Sequence, residues 1–159
     1  MTISEGDALP DATVQMMKDG RPAPTSLRDL TAGKKVVLFA VPGAFTPTCS
    51  LQHLPGFINN ANELKAKGVD EILCTAVNDA FVMDAWGASQ SADAISMVAD
   101  GNGDLAEALG LVMDGSGFGM GTRSQRYAMV IDNGIVTKIA VEAPGKFEVS
   151  SAEAILADL

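Results

Sequence analysis

Three short runs, "KKVVLFAV" (Lys34 to Val41), "EILCTAV" (Glu71 to Val77) and "AISMVAD" (Ala94 to Asp100), are apolar almost without interruption. A strand with one wet face alternates polar and apolar residues, so unbroken runs predict strands covered on both faces, as in a parallel sheet. The segments after the first two runs carry helical spacing. Residues 57–67, "FINNANELKAK", put Phe57, Ile58, Ala61 and Leu64 on one face, with Gly68 as the stop, and "AFVMDAWGAS" follows the second run. "GDLAEALGL" then reads as a short helix ended by Gly110. Alternating strands and helices predict right-handed crossovers onto one sheet.

The pattern changes at both ends. "RYAMVIDNGIVTKIAVE" is two apolar strands joined at Asn133-Gly134, a strong hairpin signal. Ser150-Ser151-Ala152-Glu153 reads as a capping box opening a C-terminal helix from Ser151 to Asp158. At the other end "ATVQMMKDGRP" is a strand closed by a turn at Asp19-Gly20, and "TSLRDL" allows one helical turn. A βαβ half followed by a ββα half is the thioredoxin-like α/β arrangement: a central mixed sheet flanked by helices, here with an N-terminal β-hairpin extension, in a single domain over residues 1–159.

Composition narrows the function. The 159 residues are 47% hydrophobic, enough for a sizeable core. A net charge of −9 with no basic stripe disfavours nucleic acid and anionic membranes as partners. No apolar run reaches the ~18 residues of a membrane span. The N-terminal "MTISEGDALPDATVQ" lacks the basic and apolar regions of a signal peptide, so a cytoplasmic location is expected. One His and two Cys, scattered along the chain, are too few for a usual zinc site, and no bound cofactor is expected. What survives is a thiol used for chemistry.

That thiol is Cys49, in "VPGAFTPTCSLQHLPGF" (Val41 to Phe57), just beyond the end of the first long strand. Ligands on such sheets meet the C-terminal ends of strands. Thr46 followed by Pro47 reads as an N-cap and first helical residue, which puts Cys49 at the third helical position. Unpaired amides and the positive end of the helix dipole there favour thiolate over thiol. Pro42 fixes the exit from the strand and adds no N–H, which can shield one side of the sulfur, while Pro55 is expected to kink or interrupt the helix.

The spacing Pro42-x-x-x-Thr46-x-x-Cys49 resembles the signature of the peroxiredoxins, and "PGAFTPTCSLQHLPGF" resembles their type II, peroxiredoxin-5-like subgroup. The likeness extends through "GVDEILCTAVNDAFVMDAW", "GTRSQRYAMVIDNGIV" and "EVSSAEAIL", nearly the whole chain. It implies a thiol-dependent peroxidase that reduces hydrogen peroxide and organic hydroperoxides, in antioxidant defence and redox homeostasis. By resemblance Cys49 is the peroxidatic cysteine and becomes a sulfenic acid, Thr46 bonds the thiolate or the peroxide, Pro42 excludes water, and Arg126 is the active-site arginine. A guanidinium is a permanent cation with a rigid fork of donors, suited to holding a thiolate and polarising an O–O bond. Arg123, in a Gly/Ser-containing loop, is expected to be solvated.

Cys74, 25 residues on and within the second strand, is either a small core residue or, by resemblance to plant-type members, a resolving cysteine. A mid-strand thiol is expected beyond the ~7 Å Cα limit of a strain-free disulfide with a helix N-terminus, so bridging would need unwinding near Cys49. "EAPGKFEVSS" offers no C-terminal alternative. The preferred reductant is therefore external, glutathione with glutaredoxin and then thioredoxin. His53 is expected to be a satisfied, partly buried histidine near a subunit contact, while Phe45, Met113, Phe118 and Met120 are either core residues or, as the resemblance to dimeric relatives implies, the lining of an apolar mouth and a homodimer contact. Rival readings are a thiol-disulfide oxidoreductase, which would normally carry a second Cys where Thr46 stands, a hydrolase using a Cys49–His53 pair, and a redox-sensing module.

Overall fold

A computed structural model describes residues 2–159. The elements are β1 (Thr13–Lys18), β2 (Arg21–Ser26), α1 (Leu27–Thr31), β3 (Lys35–Ala40), α2 (Leu54–Asn59), α3 (Ala61–Ala66), β4 (Glu71–Ala76), α4 (Ala80–Ser89), β5 (Ser96–Ala99), α5 (Asp104–Leu109), β6 (Val112–Asp114), β7 (Thr122–Ser124), β8 (Tyr127–Asp132), β9 (Ile135–Val141) and α6 (Ala152–Ala157). Seven strands form one sheet in the order β2-β1-β5-β4-β3-β8-β9. The three unbroken apolar runs supply β3, β4 and β5, which pair in parallel at its centre. The hairpins β1–β2 and β8–β9 close the two sides antiparallel. The expected thioredoxin-like mixed sheet is thus present, and the N-terminal hairpin continues that sheet.

Burial explains the unbroken runs. In β3, Val37 and Phe39 point into one apolar cluster with Cys49, Phe57, Cys74 and Trp86, while Val36 and Leu38 point into a second with Leu73, Leu105 and Met129. Both faces are filled, so neither has room for a polar residue. The β8–β9 turn needs left-handed backbone at both central residues, and Asn133 (φ 47°) and Gly134 (φ 82°) adopt it cheaply.

Several local expectations change. The helix expected over residues 57–67 is two helices, α2 and α3, parted at Asn60, whose side-chain amide donates to the Gly56 carbonyl at 2.8 Å. The capping box is displaced by one residue: Ser151 caps α6 by accepting from the Ala154 amide at 3.1 Å, and Ser150 turns its hydroxyl to Glu142. The hairpin β6–β7, antiparallel around a glycine-rich tip, was not foreseen. Its strands are only three residues each, too short to show a period.

Candidate active site

The chain leaves β3 at Ala40 and makes a tight loop before its next helix. Phe45 sits in left-handed backbone (φ 66°), uncommon for a non-glycine residue. Two side chains hold the loop: the Asn78 carboxamide oxygen accepts from the Ala44 amide at 2.9 Å, and the Thr46 hydroxyl donates to the Gly43 carbonyl at 2.7 Å. A Cβ at Gly43 would stand 3.1 Å from both Arg123 Nη1 and Thr46 Cγ2, so any larger residue would press both side chains back by a few tenths of an ångström. Thr46 is therefore not the expected side-chain cap. Its proton is committed to Gly43, which leaves the oxygen an acceptor.

The helix does begin at Pro47, so Cys49 holds the expected third position. Beyond it the backbone widens into a π-helical turn over Cys49–His53, closed by the Leu54 amide donating to the Cys49 carbonyl. Pro55 supplies the cause. It has no N–H to give, and its ring would crowd the carbonyl four residues back, so the turn before it opens rather than breaking. The interruption expected at Pro55 takes this form. Trp86 steadies the same turn by donating from its indole to Ser50 Oγ at 3.0 Å.

Cys49 is fully buried, and its Sγ accepts from Arg126 Nη2 at 3.0 Å. Arg126, half-buried immediately before β8, donates through Nη1 to His53 Nδ1 at 2.9 Å. The other ring nitrogen of His53, Nε2, lies 2.9 Å from the Ser150 carbonyl. A carbonyl only accepts and a guanidinium only donates, so both partners require the neutral Nε2–H tautomer. Burial, then the Arg126 charge, lowers the His53 pKa to about 3, against smaller upward pulls from the Ser150 carbonyl and Glu142. The ring is enclosed by Phe39, Phe57 and Phe147, and Phe147 also lies under the guanidinium, 5.9 Å from Arg126 Cζ to the ring centroid.

His53 is thus wholly buried, not partly, and belongs to the site. Its i+4 spacing from Cys49 was the available signal; its partner was hidden because Arg126 and Ser150 are distant in sequence. Both ring nitrogens are occupied and Arg126 meets the sulfur, so His53 is not placed as the base of a Cys–His hydrolase pair. Arg123 is also corrected: it is half-buried, its Nε donates to the Met120 carbonyl at 2.9 Å, and Nη1 reaches within 3.5 Å of the Pro42 carbonyl, tying the β6–β7 hairpin to the loop that precedes Cys49. Cys74 is buried on β4 opposite Phe39, and burial, followed by Cys49, pushes its pKa well up. Both cysteines are free thiols.

A cavity of about 560 Å³ opens against Arg126, walled by Pro42, Thr48, Met113, Glu142 and Phe147. Among the described residues no group of three or more His, Cys, Asp and Glu side chains could hold a metal ion.

The Redoxin family model matches residues 4–156. The chain belongs to the Redoxin family. Similar proteins within reach of this Redoxin include Peroxiredoxin-2D of Arabidopsis thaliana, 51% identical over 156 residues and covering 97% of this chain and 96% of the relative. The chloroplastic Peroxiredoxin-2E-2 of Oryza sativa is 53% identical, over 98% of this chain and 72% of its own length. Among solved structures, reduced Prx3 from Vibrio vulnificus in complex with hydrogen peroxide superposes with a TM-score of 0.96 at 58% identity, covering 99% of each chain. This Redoxin is a thiol peroxidase that acts on peroxides.

Proposed function

We propose that Cys49 is the sulfur that attacks the peroxide, and the observation that carries this reading is the 3.0 Å hydrogen bond from Arg126 Nη2 to Cys49 Sγ. A guanidinium so placed sets a rigid fork of donors against the sulfur and the space beside it. The thiolate attacks one peroxide oxygen: an S–O bond forms, the O–O bond breaks, and its electron pair leaves on hydroxide or alkoxide, which takes a proton to become water or alcohol. Arg126 offers donors to the oxygen where charge builds. The Thr46 oxygen, with its own proton given to Gly43, is matched to accept from the peroxide O–H. The Pro42 ring, on the cavity wall, keeps water from that side. Hydrogen peroxide and organic hydroperoxides are the substrates, the cavity beside Arg126 leaving space for a carbon chain.

The sulfenic acid on Cys49 is returned to thiol by an external reductant, glutathione with glutaredoxin in preference to thioredoxin. One thiol displaces water to give a mixed disulfide, and a second thiol releases Cys49 as it forms the reductant's own disulfide. Cys74 is poorly suited to the first of these roles, because burial keeps it a thiol and the thiolate is the nucleophile. A reducing compartment such as the cytoplasm suits two free cysteines. A homodimer would cover Phe45 and Phe118, 56% and 85% exposed on two loops that Arg123 joins.

The test follows peroxide consumption with glutathione and glutaredoxin, and separately with thioredoxin, for the parent and Cys49→Ser. Turnover by the parent with the first system and none by Cys49→Ser is expected. Equal turnover by the variant would reject Cys49, and turnover with thioredoxin alone would reject the preferred reductant.

A further inference from the structure

We propose that Glu142 is a positioning residue for this reaction: its carboxylate clamps the segment 143–150 so that the Ser150 carbonyl holds His53 and His53 in turn aims Arg126 at Cys49. The inference rests on the role given to Cys49 above and extends its site by two links.

Glu142 follows the last residue of β9 and is only 6% exposed. Its backbone is pinned to the site already, the Glu142 amide donating to the Arg126 carbonyl at 2.9 Å. Glu142 lines the same cavity as Arg126, and a buried carboxylate beside a guanidinium would ordinarily pair with it. No such ion pair forms among the described residues. Four other donors take the carboxylate instead: the Glu148 amide at 2.9 Å to both oxygens, the Val149 amide at 2.9 Å, the Ser150 amide at 2.8 Å and the Ser150 hydroxyl at 2.7 Å.

Three consecutive amides converging on one anion fix that stretch of backbone. Two consequences reach the site. Ser150, its N–H and hydroxyl on Glu142, presents its carbonyl to His53 Nε2, which sets the tautomer that gives Nδ1 a lone pair for Arg126. Phe147, in the same clamped segment, packs edge-on to His53 with ring centroids 5.0 Å apart. The carboxylate, saturated by the segment, does not compete with the sulfur for Arg126 Nη2. Burial raises the Glu142 pKa, but the bonds from Ser150, Glu148 and Val149 outweigh it, and the net shift is downward.

Glu142→Gln tests this, since it keeps the shape and presents an amide to donors that need an anion. His53 is the chain's one histidine, so its imidazole ¹⁵N spectrum reports a single ring. In folded Glu142→Gln the ring should lose its fixed Nε2–H tautomer, and the rate of Cys49 oxidation by hydrogen peroxide should fall about tenfold, the scale on which supporting contacts act. Ser150→Ala, a smaller lesion, should shift the same spectrum and lower the rate about two- to threefold, losing one of four donors. Unchanged spectrum and rate in folded Glu142→Gln, or in Ser150→Ala where the first variant does not fold, overturns the proposal, as does a loss confined to unfolding temperature. A parent chain inert to peroxide would instead sink the role of Cys49, and the His53 spectrum would still decide the role of Glu142.

Discussion

Arg126 donates to His53 Nδ1 at 2.9 Å through one arm of its guanidinium while the other arm reaches Cys49 Sγ at 3.0 Å. The two bonds share one rigid plane, so holding the first aims the second. A lysine keeps the charge and loses the fork. Arg126→Lys is expected to fold and to slow oxidation of Cys49 by about 100-fold, the range for removing one preorganised donor. Rapid-mixing kinetics with hydrogen peroxide measure it; a loss under threefold would mean that charge alone suffices.

The buried neutral state of His53 links stability to pH. Its pKa is about 3 in the folded chain against 6.5 ordinarily, so the unfolded chain binds a proton in this window that the folded chain refuses. Stability is complete above pH 6.5 and falls as pH drops below it, by about 1.4 kcal/mol per unit. No other histidine exists, and between pH 6.5 and 5 the ordinary carboxylates have barely begun to titrate. Denaturant unfolding across that window should show this slope in the parent and a clearly shallower one in His53→Gln.

For Thr46 the expected signature is a difference between two substitutions. Thr46→Ser keeps the oxygen and should retain activity within about threefold, whereas Thr46→Val removes the oxygen and should cost about 10- to 100-fold in peroxide reactivity. Equal rates for both would mean that the hydroxyl serves only the loop.

Cys74→Ser should leave glutaredoxin-supported turnover within about twofold and lower stability by about 1–3 kcal/mol, the cost of a buried hydroxyl without a partner. Steady-state assays and denaturant midpoints separate the two. Loss of turnover at unchanged stability would make Cys74 the resolving thiol.

How much of this was legible in the sequence follows from the range of each interaction. The apolar runs foretold β3, β4 and β5 because burial on both faces leaves its mark residue by residue. Asn133-Gly134 foretold the β8–β9 turn because few residues accept its backbone. Cys49, Thr46 and Pro42 stood out through a spacing that resembles the peroxiredoxin signature and Arg126 through the resemblance alone, and Arg126 does meet Cys49. The role of His53 was missed because it depends on Arg126 and Ser150, 73 and 97 residues away. Glu142 carries no local sign at all: its donors come from a loop with neither helical nor strand period. Thr46 and Ser150 both look like caps by composition, yet tertiary contacts give their hydroxyls to Gly43 and Glu142.

The account turns on where the first oxygen goes. One equivalent of hydrogen peroxide, added to the fully reduced chain with dimedone present and followed by peptide mass spectrometry, reads this directly. A dimedone adduct on Cys49, with Cys74 unmodified, is the expected result. An adduct on Cys74 alone, or peroxide consumed with neither cysteine modified, would contradict it.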